Sequence, residues 1–396
     1  LYDDKKIDIK DSALKKRFKS YDEIIKTKVD YIIISPGINI KTCKLKKFLK
    51  KNSRKINTDL DIFFSSYSKN KNITITGTNG KSTTTKILYE VLKQQKLDVR
   101  LVGNIGNPIL SEKNITNKTI FVIEASSYQL EYSKLFKAKL AVILNISPDH
   151  LERHKTLKNY IEAKFKLIKN QTKKDYAIIN GQNSYIKKHL KNKHFLPKII
   201  KVGQYDKIIS LKKLDNPYFL TEGNKENLNF VLEISKILKI KRKDVLKRIK
   251  NFNGLKYRQQ IIYKSKKLTI INDSKATSFS SSASILKSLK NVHWIVGGLA
   301  KKGDKFLLSK NDCKNIKAYI FGNNRGVFID ALKNIVRYES FTDLKFLVKK
   351  IFKDLNSINH QNHQIILFSP SAASFDKFKN FEERGKYFNN LIEKFS

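Results

Sequence analysis

The sequence predicts an α/β protein built from mostly parallel sheets covered by helices. Short apolar runs rich in β-branched and aromatic residues recur along the chain, and amphipathic, lysine-rich stretches of helical period separate them. Gly77, Glu124, Asn145, Asp273, Gly297, Gly322 and Ser369 all fall at or just past the C-terminal ends of expected strands, where open α/β sheets bind ligands. At 396 residues the chain is too long for one small core, so two or three domains are expected.

The strands expected, in order, are 31–34, 73–76, 120–123, 141–145, 177–180, 268–272, 293–296, 318–321 and 365–368. One break falls near Asn57, before the strand at 73–76. Another falls at Asn253-Gly254, after a helical stretch ending at Ile249. There is no internal repeat and no low-complexity linker. The chain opens on Leu1-Tyr2-Asp3-Asp4, which reads as the end of a strand, and it contains no Met, so upstream sequence is expected.

Composition narrows the function classes. Hydrophobic residues make up 40% of the chain, enough for a buried core. No apolar run approaches the roughly 18 residues a membrane helix needs, and the polar N-terminus lacks a secretory pattern. Cys43 and Cys313 fit no metal or disulfide spacing, so a reducing cytoplasm is expected. The net charge is +46, but the basic residues are spread along the chain rather than gathered in a stripe. They read as solvated lysines. No nucleic-acid or membrane partner is expected, although an anionic substrate would gain from such a field.

The strand at 73–76 runs into Gly77-Thr78-Asn79-Gly80-Lys81-Ser82-Thr83 and then an amphipathic helix. Glycines let the backbone approach a polyphosphate, and the N–H groups of the turn and helix start supply positive potential. Lys81 is expected on the β- and γ-phosphates, with Ser82 or Thr83 on Mg²⁺. Two residues, not four, separate the glycines, so this is not the standard phosphate loop. The bland alternative is a helix-capping turn that happens to contain Gly-Lys-Ser.

This shorter loop resembles that of the Mur ligases and the related folylpolyglutamate synthases, and the resemblance extends over essentially the whole chain. Further blocks follow in the family's order. They are Gly103-Asn104-Ile105-Gly106, the run from Glu124 through Ser126 and Gln129 to Glu131, and the run from Asn145 through His150 and Arg153 to His154. Ile271-Asn272-Asp273-Ser274-Lys275-Ala276-Thr277 and Gly297-Gly298-Leu299-Ala300-Lys301 come next. The run from Ser369 to Gly385 is similar to the family pattern S-P-A-C-A-S-x-D-Q-F-K-N-F-E-x-R-G, with Ala372 where Cys is common.

The resemblance implies three α/β domains. Residues 1–56 would be a partial Rossmann-like domain for the UDP substrate, lacking its first βα unit of roughly 30 residues. Residues 57–254 would be a central P-loop-type ATPase, and 255–396 a Rossmann-like C-terminal domain for D-glutamate. Glu124 would hold the Mg²⁺ that bridges the ATP phosphates, with Ser82. His150 would hold a second Mg²⁺ together with Lys164, carbamylated to an anionic ligand; composition alone would not select Lys164 among 81 basic residues. Asn104, Ser126, Gln129 and Arg153 would contact the muramoyl-alanine part of the substrate.

Gly223-Asn224-Lys225-Glu226-Asn227 resembles the family's H-N-x-x-N helix start, with Gly223 in place of His, and Asn227 would meet the adenine end of ATP. Gly254-Leu255-Lys256-Tyr257-Arg258 resembles G-L-x-H-R, with Tyr257 in place of His, Gln260 in place of Glu, and Arg258 on the phosphates. Asp273 would bind the ribose and Lys275 the γ-phosphate region. Thr277 and Lys301 would hold one carboxylate of D-glutamate, and Ser374 with the backbone at Phe381 the other.

N-D-S-K-A-T is similar to the branch of the family that adds D-glutamate. It implies ATP-dependent ligation of D-glutamate to UDP-N-acetylmuramoyl-L-alanine through an acyl phosphate, in peptidoglycan synthesis, by a cytoplasmic monomer whose domains close over the substrates. A folylpolyglutamate synthase would lack N-D-S-K-A-T and the Ser-Pro run. A nucleic-acid motor would need a longer loop and a clustered basic groove.

Overall fold

A computed structural model describes residues 1–3, 11–191, 193–203, 216–301, 303–357 and 362–395. The chain divides into two compact units, Leu1–Gln204 and Tyr205–Ser396.

The first unit begins with α1 (Ser12–Lys15), α2 (Tyr21–Lys26), β1 (Ile32–Ile33), α3 (Lys46–Lys51) and β2 (Ile56–Asn57). β1 and β2 pair in parallel beside a small core of Ile34, Leu49 and Ile56. Leu1–Asp3 form no strand, and Asp4, the last residue of the expected strand end, lies outside the described residues. The unit continues with α4 (Asp59–Tyr67), β3 (Lys71–Thr76), α5 (Lys81–Gln94), β4 (Val99–Gly103), β5 (Ile120–Glu124) and α6 (Ser127–Tyr132). It ends with β6 (Leu140–Ile143), α7 (Leu151–His154), α8 (Leu157–Lys169), β7 (Tyr176–Asn180), α9 (Ser184–Lys191) and β8 (Lys198–Val202).

The strands of this second group form one sheet in the order β4-β5-β3-β6-β7-β8, parallel throughout. β3 lies inside the sheet and is buried along Asn72–Thr76, as a parallel strand covered on both faces must be. The chain leaves β3 for β4, returns to β5 beside β3, and then crosses to β6 on the other side. That reversal makes a switch point, and the turns after β3, β5 and β6 meet there.

The second unit contains α10 (Glu222–Ile237), α11 (Arg242–Ile249), β9 (Gln260–Lys264), β10 (Leu268–Asn272), α12 (Phe279–Ser288) and β11 (Val292–Gly297). It continues with β12 (Ile316–Phe321), α13 (Arg325–Leu332), β13 (Arg337–Phe341), α14 (Leu344–Ser357), β14 (Gln364–Phe368) and α15 (Phe381–Phe395). Its sheet order is β13-β12-β11-β14-β10-β9, with only β9 antiparallel. One core, around Trp294 and Phe328, fills one face, and a second, around Phe368 and Phe388, fills the other. β14 inserts between β10 and β11, so the turns after these three strands share a second switch point.

Each of the nine expected strands overlaps a strand of the structure, although 31–34 shortens to Ile32–Ile33 and 141–145 ends at Ile143, and the fold is α/β with parallel sheets, as the sequence predicted. No expected strand corresponds to β2, β4, β8, β9 or β13. The expected domain limit at 254 falls inside the second unit, which also holds α10 and α11. Among the described residues no helix is long and apolar enough to cross a membrane.

Candidate active site

At the first switch point β3 ends in a loop that closes on the start of α5. Gly80 caps α5 at φ +81°, a left-handed conformation that favours glycine. The Thr78 N–H donates to the Asn145 carbonyl at 2.9 Å, and the Asn79 N–H donates to Asn145 Oδ1 at 2.8 Å. The loop is thereby stapled to the end of β6. Lys81 turns back over it, with Nζ donating to the carbonyls of Gly77 at 3.0 Å and Thr78 at 2.8 Å. Ser82 and Thr83 are buried in the first turn of α5, whose dipole favours an anion at this end.

Glu124, the last residue of β5, is buried. Its Oε1 accepts from Asn104 Nδ2 at 2.9 Å, and its Oε2 has no hydrogen-bond partner among the described residues. A buried carboxylate oxygen left open in this way suits a cation. Lys164 reaches the same place from α8 and is almost wholly buried, with Nζ donating to the Gly77 carbonyl at 2.8 Å. Burial and the nearby Lys81 charge push the Lys164 ammonium well below its ordinary range, against the pull of Asp149 and Glu124.

Tyr160 supports this arrangement. Its hydroxyl lies 3.0 Å from Thr78 Oγ1, and Lys164 Nζ stands 4.6 Å from its ring centroid. His150 lies toward the surface, with its ring 6.4 Å from that of Tyr160. Its backbone is left-handed at φ +53°, its Nδ1 is 3.1 Å from the Tyr128 hydroxyl, and its Nε2 is 3.4 Å from Asp149 Oδ2.

The residues expected on the muramoyl-alanine group also hold the local structure. Ser126 caps α6, and Gln129 closes the capping box while its Nε2 donates to Asp59 at 3.3 Å. Arg153 pairs with Glu131 at 2.9 Å and donates to the carbonyls of Gly37 at 3.2 Å and Ile38 at 2.7 Å. Its guanidinium also lies over the rings of Tyr128 and Tyr132.

At the second switch point Asp273 follows β10 and is buried. The Gln259 N–H donates to its Oδ1 at 3.0 Å and the Ser369 hydroxyl to its Oδ2 at 3.0 Å. Burial pushes its carboxyl up to about 7, against the downward pull of those two hydrogen bonds and of Arg258 and Arg384. Gln259, at φ +48°, also accepts from Asn224 Nδ2 at 2.8 Å, and Asn224 accepts from Asn227 at 3.4 Å. The turn before β9 is thus tied both to α10 and to the end of β10.

Lys275 is exposed, with Nζ 4.0 Å from the Phe381 ring centroid. Arg384 is buried and directs its donors to Ser274, Ala372 and Ala373, and burial lowers its guanidinium to about 10. Gly385 is required beside it, because a Cβ there would meet the Tyr257 ring at 2.3 Å. Ser374 is buried, whereas Thr277 and Lys301 are exposed. The Phe381 carbonyl accepts from the Ser274 hydroxyl at 2.9 Å.

A family model described as the Mur ligase middle domain matches residues 75–241. The UDP-N-acetylmuramoylalanine–D-glutamate ligase of Rickettsia bellii is 34% identical, over 92% of this chain and 84% of its own. That of Rickettsia felis is 37% identical with the same coverage. The chain belongs to the Mur ligase family. Solved Mur ligase structures share its fold. MurF from Thermotoga maritima, in complex with ADP, matches with a TM-score of 0.58 at 16% identity over 89% of this chain and 92% of that one. MurC from Thermotoga maritima matches with a TM-score of 0.58 at 17% identity, over 95% and 88%.

In this Mur ligase the first unit brings together Gly77, Thr78, Lys81, Glu124 and Lys164. Sequence reasoning missed Tyr160, Asn224, Gln259 and Arg384. Tyr160 did carry a signal, since it precedes Lys164 by four residues and so shares its helix face. Asn224 lay inside the quoted helix start and Arg384 inside the quoted Ser-Pro run. Gln259 carried none, because it acts largely through its backbone N–H.

Proposed function

We propose that this chain ligates D-glutamate to UDP-N-acetylmuramoyl-L-alanine at the expense of ATP, a step of peptidoglycan synthesis. The γ-phosphoryl group passes to the L-alanyl carboxylate, forming an acyl phosphate and releasing ADP. The D-glutamate amine then attacks the acyl carbon, phosphate leaves with the bonding electron pair, and the nitrogen loses a proton to give the amide. The observation that carries this reading is the convergence on Gly77 of Lys81 and Lys164, beside the open Glu124 oxygen, in a chain similar over most of its length to D-glutamate-adding ligases.

In the first unit, the loop N–H groups and Lys81 bind the phosphates and offset their charge. Mg²⁺ held by Ser82 and Glu124, with a second ion at His150 and a carbamylated Lys164, would neutralise charge on the phosphates. The amine of Lys164 suits that modification. Burial favours its neutral form, whose lone pair can attack carbon dioxide and lose a proton to give an anionic carbamate. Asn104, Ser126, Gln129 and Arg153 face the muramoyl-alanine group. In the second unit Asn227, Arg258, Asp273 and Lys275 take the nucleotide, while Thr277, Lys301, Ser374 and the Phe381 N–H take D-glutamate.

ADP release tests the reading. It should require UDP-N-acetylmuramoyl-L-alanine and D-glutamate together, and Lys81→Ala should abolish it while leaving the circular dichroism spectrum unchanged. Release stimulated by DNA, or by a folate in place of the UDP-sugar, would overturn it.

A further inference from the structure

Behind Asp273 lies a chain of hydroxyls that the ligase reading does not use. Ser369 Oγ donates to Asp273 Oδ2 at 3.0 Å. Ser282 Oγ lies 2.6 Å from Ser369 Oγ and 2.6 Å from Ser371 Oγ. All three serines are buried. A serine carries one hydroxyl proton. An ionised Asp273 claims that of Ser369. Ser282 Oγ also lies 3.3 Å from the Ser369 carbonyl, but at 2.6 Å the two hydroxyl oxygens must share a proton, so Ser369 accepts from Ser282, and Ser282 accepts from Ser371. The direction of the whole chain is therefore set by the carboxylate, and each bond polarises the next.

Ser371 is held at φ +56°, a conformation that non-glycine residues adopt at a cost. It also stands where the S-P-A-C-A-S pattern has Ala, so the far end of the chain is a feature of this sequence. Trp294 Nε1 donates to the Ser369 carbonyl at 2.8 Å and fixes the backbone between the two serines.

We propose that Ser371, Ser282 and Ser369 form a one-way hydrogen-bond relay that favours the ionised form of the Asp273 carboxylate and orients it toward the nucleotide, which makes Ser369 a positioning residue. The inference rests on the reading of Asp273 as the ribose contact. An ionised carboxylate accepts from ribose hydroxyls, whereas the protonated acid loses that capacity. The charged groups around Asp273 are Arg258 from the turn before β9 and Arg384 from α15. Lys275, with its ammonium over Phe381, follows two residues later, and Asp376 faces Arg384. None of these belongs to the relay, so removing a serine hydroxyl leaves their charges in place.

The test is ADP affinity by titration calorimetry on the full chain across pH 5.5 to 9, for the parent, Asp273→Asn, Ser369→Ala, Ser371→Ala and Ser371→Gly. The phosphates of ADP titrate in the same range, and Asp273→Asn measures that background. Above it, the parent should lose affinity as the pH falls. Ser369→Ala should move the midpoint of that loss upward by about one pH unit. Ser371→Ala and Ser371→Gly should move it upward by a smaller, equal amount, because both delete the hydroxyl although only Gly relieves the backbone strain. Serine variants that weaken ADP by the same factor at every pH, or leave the midpoint unmoved, would overturn the relay. Parent-like ADP binding by Asp273→Asn would instead overturn the ribose reading itself.

Discussion

At Asp273, the proposed ribose contact, stability and function pull in opposite directions. Its carboxyl has an ordinary value of 3.8 and is pushed up to about 7 in the fold, chiefly by burial. The folded chain therefore holds this proton more tightly than the unfolded chain does. Its contribution to stability is present below the ordinary value and is lost as the pH rises to about 7. Asp273→Asn should then raise the melting temperature at pH 8 relative to the parent, with the advantage gone near pH 4; an equal change at both pH values would show that its charge is not the cause. Lys164→Ala should lose activity, and short carboxylic acids should restore part of it by filling the anionic position that the carbamate would occupy. A variant as active as the parent would remove Lys164 from the mechanism. Thr277→Ala or Ser374→Ala should raise KM for D-glutamate by about tenfold or more, the loss of one hydrogen bond to a charge, with little change in KM for ATP. An equal rise for both substrates would point to a folding defect. The Gly77–Thr83 loop was legible because residue type and spacing carry its chemistry, whereas Lys164, Asp273, Thr277 and Ser374 were singled out only by their place in blocks that resemble the family's. Gln259 was not legible, because it acts through a partner 14 residues away that nothing local marks; the Tyr160 hydroxyl likewise meets a partner 82 residues away, and only its helical spacing from Lys164 hinted at a role.

The same contrast holds for the elements. The strands the sequence revealed in the two main sheets lie inside them and are largely buried, and their apolar runs are the signal, as at 318–321 and 365–368. The four longer ones it hid, β4, β8, β9 and β13, are the edges of those sheets. Their sequences carry Arg100, Lys198 and Lys201, Lys264, and Arg337 with Glu339, because an edge strand faces solvent and is protected by charge. Such strands look like loops until their neighbours are known. One buried charge shows how helices are fixed in the same sequence. Asp61, in the first turn of α4, closes a capping box with Thr58 through Oδ2. Through Oδ1 it accepts from Ser133 Oγ at 2.8 Å and from the N–H groups of Lys134 at 3.0 Å, Leu135 at 2.8 Å and Phe136 at 3.0 Å. Burial alone would raise its carboxyl, but these hydrogen bonds outweigh burial and hold it below its ordinary value. This stability is present above the ordinary value and lost as the pH falls through the lowered one. Asp61→Ala would strand several buried donors and should lower the free energy of unfolding by about 3 kcal/mol or more in urea melts at pH 7. A loss below about 1 kcal/mol would mean that water replaces the carboxylate.

At the scale of the whole molecule the dominant fact is charge. Lys and Arg number 81 against 35 Asp and Glu, a net charge of +46. The substrates of the proposed reaction are anions: ATP, a UDP-sugar carboxylate and D-glutamate. A field of this sign raises the encounter rate of an anion without changing what happens once it is bound. The reach of that field depends on salt, since the Debye length is about 30 Å at 0.01 M and about 8 Å at 0.15 M. Steering should therefore appear in kcat/KM and not in kcat. For the UDP-sugar and ATP, kcat/KM is expected to fall by about tenfold as ionic strength rises from 0.01 to 0.3 M. The fall should be smaller for D-glutamate, which carries less charge, and kcat should hold nearly constant. Potassium glutamate as the added salt would compete directly with the amino-acid substrate, so potassium chloride is the proper titrant. If kcat falls in parallel with kcat/KM, salt is acting on the bound state, through the phosphate contacts proposed for Lys81, and not on approach. If neither changes, the positive charges cancel over the surface near the site, and the composition reflects a bias in residue usage with no kinetic consequence.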